Sequence, residues 1–261
     1  MYDLAELESS LAGTIYAGKV HYSPVTQSTN TDAIAEARSG APHGSVYLAD
    51  EQLAGRGRGG HQWQSVAGEG LYVSVLLRPQ IPAMRLPLLP LAAGLAAAGA
   101  IKSVTGLSVD LRWPNDLLLG PRKAGGILVE AHTETDRVGF AVVGIGINVH
   151  QREFSAGLAT PATSLDLESA RRISRQRLLV SLLESLEREA ACLQDPTATE
   201  TIALRIEEDS TWVRGRQVEV HGPQACTGVT TGLDANGFLL VRTDEGLVTV
   251  RTGGMRSLET S

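Results

Sequence analysis

Cysteine is nearly absent. Cys192 and Cys226 are the only two in 261 residues, far apart and outside any C-x-x-C or Cys/His cluster. This excludes a disulfide framework and a zinc site, and leaves a reducing cytoplasm as the expected compartment. No signal peptide is expected either, because Asp3, Glu6 and Glu8 stand where one would carry positive charge and then an apolar stretch. Long hydrophobic runs are also lacking. The most apolar stretch, Leu86 to Ile101, contains Pro87 and Pro90 and falls short of the roughly 20 residues a membrane span needs. It reads as a buried helix, and no membrane partner is expected. Positive charge is in deficit, with 23 Lys and Arg against 29 Asp and Glu and a net charge of -6. Such a balance disfavours a surface built for a polyanion such as DNA, so any phosphate must be held locally. No repeat, low-complexity tract or flexible linker interrupts the chain. What is present, 43% hydrophobic and 20% charged residues, is an ordinary globular balance. The length suits one large unit, expected over residues 1–209, and a small one over 210–261, packed against each other.

After a short helical lead, Ser28 or Thr29 can cap a helix reaching about Ser39, with Asp32 in its first turn and Gly40 as its stop. Strands are expected at Ser45 to Ala49 and Leu71 to Leu77, separated by a Gly/Arg/Gln loop without periodicity. A helix from about Pro90 to Val104 follows, then β runs at Val109 to Trp113, Gly126 to Thr133 and Val138 to Asn148. The mixed order suggests an α+β unit. The clearest helix spans about Arg171 to Leu193, where Ile173, Leu178, Leu179, Leu182, Leu183 and Leu186 make one apolar face, most simply for core packing. Beyond Asp209, short β runs are broken by Gly222-Pro223, Asn236-Gly237 and Gly246, the pattern of a small barrel.

Four segments carry candidate chemistry. The loop Gln52 to Trp63 sets Arg56 and Arg58 among Gly55, Gly57, Gly59 and Gly60, offering free amides beside two permanent charges. That suits a phosphate or carboxylate, although such loops are often only mobile surface. Its glycines also spell G-x-G-x-x-G, but a polar stretch and a strand follow where a dinucleotide fingerprint needs an opening helix. Arg112-Trp113-Pro114-Asn115-Asp116 ends a strand at a proline and presents an amide and a carboxylate, which is ordinary turn chemistry as well. Lys123 stands alone before Gly125 and Gly126 and an apolar run, and could equally be a surface lysine at a strand entrance. Gly144-Ile145-Gly146-Ile147-Asn148 leaves room for a ligand and ends on a donor and acceptor, though a bulge would also explain the glycines.

Taken in this order, the segments resemble the catalytic domain of bacterial biotin protein ligases, whose pattern is Ser-Thr-Asn, a GRGRxGxxW loop, a KWPND turn, a lysine ahead of GILVE, and a GIGxN strand. The counterparts are Ser28-Thr29-Asn30, Gly55 through Trp63, Arg112 through Asp116, Lys123 before Gly126 through Glu130, and Gly144 through Asn148. The resemblance covers about residues 20 to 165, with Thr163-Ser164-Leu165 a weaker match. Arg112 replaces the usual lysine, Gly59 and His61 replace residues that are often basic, and Ala124-Gly125 replaces Leu-Ala.

The resemblance implies an α+β fold of the class II synthetase and biotin/lipoate ligase type, a mixed sheet flanked by helices, with a small C-terminal SH3-like β-barrel. It also implies an enzyme that forms biotinyl-5'-AMP from biotin and ATP, with Mg2+, and passes biotin to a lysine of a biotin carboxyl carrier protein or domain. By motif match, Ser28, Thr29, Asn30, Gln52, Arg56, Gly57, Arg58, Lys123, Gly126 and Gly144 would meet biotin. Arg58, Trp63, Asn115, Lys123 and Asn148 would meet the nucleotide, and Lys123, Arg56, Arg58 and Asp116 would serve catalysis, Asp116 by orienting the acceptor lysine. No protein-built metal site is implied, and a homodimer remains open. Larger members carry an N-terminal winged helix-turn-helix. Here some twenty residues precede the first matching strand, too few for that module, so the short class without DNA binding is expected. A lipoate-type ligase is disfavoured by the lack of an Arg-rich Gly-Gly-Gly segment, and a biotin-sensing regulator by the intact Lys123.

Overall fold

The computed structural model describes residues 2–258. Met1 and the last three residues of the expected 210–261 unit lie outside them.

Local signals place most elements where they form. The Asp3 carboxylate accepts from the amides of Ala5 and Glu6 and so caps α1 (Leu4–Ser10). Strand β1 (Val20–Thr26) leads into α2 (Thr29–Arg38), then β2 (Ser45–Gln52) and β3 (Gly70–Leu77). Helix α3 (Leu88–Thr105) stops at Gly106, whose φ of 78° suits a residue without a Cβ and whose amide bonds the Lys102 carbonyl. By length and composition it could cross a membrane, which corrects the shortness read from the sequence, yet it is mostly buried in the protein core, as expected of a buried helix. Four strands follow: β4 (Asp110–Arg112), β5 (Asp116–Leu119), β6 (Arg122–Glu134) and β7 (Arg137–Asn148). Next come α4 (Leu165–Ser169), α5 (Arg175–Cys192) and α6 (Pro196–Asp209). Helix α5 begins later than its apolar face suggested. Ala170 closes α4 in the left-handed region at φ 53°, and the extended Ser174 accepts from the Arg177 amide to start the new helix.

Seven strands form one mixed sheet in the order β1-β2-β3-β7-β6-β5-β4, parallel between β1 and β2 and antiparallel elsewhere. Helices α3 and α5 cover one face, where Leu71, Val73, Val75, Ala141, Val143, Ile145 and Ile147 enter the main core. On the other face, α2 packs Ala33 and Ala37 against Tyr47, Leu76, Phe140 and Val142. Strand side chains alternate between faces, and α2 covers the part of this second face around Tyr47, Leu76, Phe140 and Val142.

The C-terminal strands are β8 (Arg214–His221), β9 (Cys226–Leu233), β10 (Leu239–Thr243), β11 (Gly246–Val250) and β12 (Gly254–Ser257). They correct one expectation: the sheet is antiparallel but is not closed into an SH3-like barrel. Its order is β11-β10-β9-β8-β12, and no pairing joins the edge strands β11 and β12 among the described residues. Closure needs a shared ladder between those edges. Here edge strands of five and four residues are joined by a sharp link through Gly253, at φ 133°, and they leave it without a common ladder. Val218, Val220, Leu239, Val241 and Val250 nevertheless join the same core as the large sheet.

Candidate active site

The floor of the site follows from strand alternation. On β7 the odd-numbered residues from Ala141 to Ile147 enter the core, so Gly144, Gly146 and Asn148 share the opposite face. Register carries that face across the sheet, since Gly146 lies opposite both Gly126 on β6 and Tyr72 on β3, and Gly126 lies opposite Asp116 on β5. In the next row Gly144 lies between Leu128 and Ser74. Three glycines on adjoining strands thus open a trough bounded by Ser74, Asp116 and Glu130.

Specific side chains enter that space. A Cβ on Gly144 would collide with the Asn30 amide, and one on Gly146 would lie 2.6 Å from Trp63 Nε1. Gly126 faces the Lys123 Nζ and the Trp63 ring, both 3.4–3.5 Å from the position a Cβ would take. The indole N–H of Trp63 is buried with no hydrogen-bond partner, which costs roughly 1–3 kcal/mol unless something accepts from it.

The Gly/Arg loop folds back on itself. Bridges pair Gln52 with Ser65 and Arg56 with Gln62, and the Trp63 amide bonds the Gly55 carbonyl at 2.9 Å. Gly59 and Gly60 turn the tip at φ 65° and 80°, and only a short 3-10 turn follows Gly57, so the dinucleotide-type helix is absent here. Gln52 Oε1 accepts from the Thr29 amide at 2.9 Å and hydroxyl at 3.1 Å, while its Nε2 donates to Ser65. Ser74 Oγ donates to Asn30 Oδ1 at 2.6 Å. Ser28 and Thr29 begin α2 and are buried with Asn30, so the Ser-Thr-Asn triplet faces the trough from a helix N-terminus.

Lys123 Nζ lies 2.5 Å from Asp116 Oδ1 and 5.5 Å from the Trp63 ring centroid. Arg112 holds the other carboxylate oxygen through Nε at 3.0 Å and Nη2 at 2.6 Å, and its guanidinium also lies over Trp212. Burial alone would raise the Asp116 carboxyl, but the charges of Lys123 and Arg112 outweigh it and hold it below the usual carboxylate value. Arg58 reaches Asn115 Oδ1 at 3.3 Å and the Gly253 carbonyl at 3.0 Å. Burial pulls its guanidinium below the usual arginine value, while the Asp116 charge opposes that shift. Arg56 pairs with Glu130 Oε2 at 2.7 Å, and that oxygen also accepts from Asn30 Nδ2 at 2.9 Å. Among the described residues, Arg56, Arg58, Arg112 and Lys123 therefore face two carboxylates, Asp116 and Glu130, a positive surplus suited to anionic ligands.

Of the residues singled out in the sequence, Asp116, Gly126, Gly144, Gly146 and Asn148 share this face, Asn30, Trp63 and Lys123 stand over it, Arg56, Gly57, Arg58 and Asn115 line the adjoining cleft, and Gly125 faces the core instead. Asn115 turns its amide to the Ile127 carbonyl at 2.8 Å, and Asn148 donates to the Thr163 carbonyl at 3.0 Å. That second bond ties β7 to the segment whose Pro161 carbonyl accepts from the Lys123 amide at 2.7 Å. The sequence reading assigned no role to Glu130, Ser74 or the C-terminal residues Phe238, Arg251 and Gly253. Glu130 was within reach of it, since alternation from Gly126 puts Glu130 on the same face. The cleft above Arg56 to His61, about 720 Å³, is walled by Pro87, Trp113, Phe238 and Arg251.

A mixed sheet with a glycine-floored trough, a lysine at its edge and an arginine loop above is the architecture of a ligase that activates a carboxylate. Residues 22–148 match the Biotin/lipoate A/B protein ligase family, and residues 214–254 match the Biotin protein ligase C terminal domain. The chain is 34% identical over 251 residues to the bifunctional ligase/repressor BirA of Bacillus spizizenii, covering 93% of this chain and 75% of that protein. It is 34% identical over 234 residues to the biotin--[acetyl-CoA-carboxylase] ligase of Mycobacterium tuberculosis, covering 87% and 85% respectively. The structure of the Aquifex aeolicus biotin protein ligase, solved with biotin and ATP, superposes with a TM-score of 0.78 at 28% identity, covering 92% of this chain and 98% of that one. This chain belongs to the biotin protein ligase family.

Proposed function

We propose that the chain activates biotin with ATP as biotinyl-5'-AMP and transfers the biotinyl group to a lysine of a biotin carboxyl carrier protein or domain. The observation that carries this reading is Lys123, 2.5 Å from Asp116 at the edge of a trough floored by Gly126, Gly144 and Gly146. In the first step a biotin carboxylate oxygen bonds the α-phosphorus as the bond to pyrophosphate breaks. Both reactants are anions, and fixed cations are what such an encounter needs. Lys123 and Arg58 would lie at the reacting oxygens, with Arg56 closing the loop over them. In the second step the acceptor amine attacks the acyl carbon, AMP leaves, and the ammonium proton goes to solvent.

Ser28, Thr29, Asn30 and Gln52 supply the polar ring for the biotin head group, beside the backbone of Gly57, Gly126 and Gly144. Trp63, Asn115 and Asn148 border the nucleotide. Asp116, kept ionised by its two cations, offers a counter-charge to an incoming ammonium. No group of three or more His, Cys, Asp or Glu side chains among the described residues could hold a metal. A magnesium ion therefore fits only if it arrives with the nucleotide, since Mg2+ keeps most of its waters and takes phosphate oxygens. By the family pattern Asn115 would stand nearest the phosphates and the ion, which would supply neutralising charge. Cytoplasmic location and self-association as a homodimer remain parts of the same proposal.

The test is incubation with biotin, ATP and a carrier domain, followed by mass spectrometry of the carrier. One biotinyl group per carrier and biotin-dependent pyrophosphate release are expected. Neither would be seen if the reading is wrong.

A further inference from the structure

Three residues of the link between α6 and β8 are tied to β4 one after another. Thr211 donates its amide to Asp110 Oδ1 at 3.0 Å and its hydroxyl to Oδ2 at 2.6 Å. Ser210 Oγ donates to the Leu111 carbonyl at 2.5 Å and accepts from the Trp212 amide at 3.1 Å. Trp212 completes the series at Arg112, the last residue of β4, whose guanidinium carbon lies 5.1 Å from the indole centroid. A second guanidinium, that of Arg216 on β8, lies over the same ring at 4.2 Å, and its Nε donates to Ser257 Oγ on β12 at 3.2 Å. Trp212 is 7% exposed and belongs to the main core, so the ring cannot swing clear of Arg112 without opening that core.

Arg112 in turn decides how Asp116 is held. Its Nε and Nη2 both end on Oδ2, at 3.0 and 2.6 Å, and Nη2 also donates to the Thr160 hydroxyl at 2.8 Å. Lys123 takes Oδ1, so the two oxygens of one carboxylate have different partners. A guanidinium keeps such a fork only while its plane is fixed, and a ring within about 6 Å supplies both a surface to lie on and an electrostatic attraction. A lysine at position 112 would bring a single ammonium, with no plane to fix.

Resting on the ligase reading above, in which Asp116 is the counter-charge to the acceptor ammonium, we infer that Trp212 is a positioning residue for the transfer step. By fixing the plane of Arg112 it keeps Oδ2 of Asp116 occupied and leaves Oδ1, the oxygen on the Lys123 side at the trough edge, for the incoming lysine. Lys123 is needed at the reacting anions, so Oδ1 is the oxygen that can be shared. Without the ring Arg112 gains other rotamers, and the carboxylate turns between its cations instead of presenting one oxygen. The link thus passes order from the C-terminal strands to a carboxylate of the large sheet, and Trp212 itself touches no substrate.

The experiment compares wild type, Trp212→Leu and Trp212→Phe in two assays on the same preparations: biotin-dependent pyrophosphate release, and transfer from synthetic biotinyl-AMP to a carrier domain at varied carrier concentration. Trp212→Leu fills much of the space but has no ring. It should lower kcat for transfer about tenfold, the loss expected for a desolvated contact between guanidinium and ring, with the KM for the carrier unchanged. Pyrophosphate release should fall far less, because Lys123 keeps its place. Trp212→Phe, which restores a ring, should recover most of the loss. In an Asp116→Asn background Trp212→Leu should remove nothing further, since the carboxylate through which it acts is gone. Partial unfolding lowers both assays by one factor, so their ratio reports positioning alone. An unchanged ratio in Trp212→Leu makes Trp212 a packing residue and overturns the inference. So does an equal loss in Trp212→Phe, a loss of the same size in the Asp116→Asn background, or a raised carrier KM at unchanged kcat, which would make Trp212 a docking contact. A wild-type chain that releases no pyrophosphate overturns the ligase reading and this inference with it.

Discussion

Removing the charge of Lys123 should separate catalysis from folding. When carboxylate and phosphate close to about 3.5 Å, their repulsion is about 5 kcal/mol at an effective dielectric near 20. A cation fixed beside both offsets much of that, and by analogy with other preorganised donors its loss should cost roughly 3 kcal/mol in the transition state. The adenylation rate then falls about a hundredfold. Stability should change far less. With Lys123 gone, Asp116 keeps both hydrogen bonds from Arg112, at 3.0 and 2.6 Å. The carboxylate is not orphaned, so the cost should be about 1 kcal/mol rather than the several expected when a buried charge loses its only partner. For a chain of this size, that lowers the melting temperature by about 2–4 °C. Lys123→Met serves as a companion to Lys123→Ala because it keeps an apolar stem over the Trp63 ring. The assay is biotin-dependent pyrophosphate release, with transfer from synthetic biotinyl-AMP as the second arm, where more activity should survive. Adenylate formation at the wild-type rate in either variant would refute the reasoning. A large loss of melting temperature with equal loss in both arms would assign Lys123 to folding instead.

The loop should order around its ligands: protease cleavage between Gly55 and Gly68 should slow when biotin and ATP are both present, with a change in Trp63 fluorescence, and equal cutting in both states would sink the loop assignment. Gly146→Ala should force the indole out, since its new Cβ would lie 2.6 Å from Trp63 Nε1, and should speed cleavage at the same loop without unfolding the sheet. Arg56→Ala and Glu130→Ala remove the same bond from opposite ends and should both leak free biotinyl-AMP, their double variant being no worse than the more severe single one. Undiminished retention in both would show that this pair does not close the site. Acid sensitivity should arise at His43, whose Nδ1 accepts from the Arg78 amide at 3.0 Å and whose pKa is held below 6.5 by burial first and then by Lys19. Its unprotonated form is the one the fold stabilises, so that contribution is complete above pH 6.5 and lost as pH falls through the lowered folded value. His43→Asn should flatten that part of the melting curve against pH.

Sequence alone determined the features that depend on a few neighbouring residues. Ser28 stands at the N-terminus of α2 and Gly40, at φ 96°, follows its end, the apolar stretch became the buried α3, and the ordered motifs placed Ser28 to Asn30, the arginine loop and Lys123 in one family's pattern. Such rules work because backbone geometry repeats every two residues in a strand and every 3.6 in a helix. The start of α5 was misplaced because periodicity continues through Ile173, whereas the cap belongs to Ser174.

Tertiary structure decided who meets whom. Nothing local brings Arg58 to a carbonyl 195 residues away, or Arg56 to Glu130, 74 residues on. Those meetings depend on how whole elements pack. The open C-terminal sheet belongs to the same class: its short strands and turns were legible, but closure depends on whether the two edges share a ladder, and β11 and β12 do not. Composition sets a strand's preference to be a strand. Its partner is chosen by the length of the links and the register of everything between, so the same local pattern can end in a barrel or in an open sheet whose link sets Arg251 in the lining of the cleft beside the larger sheet.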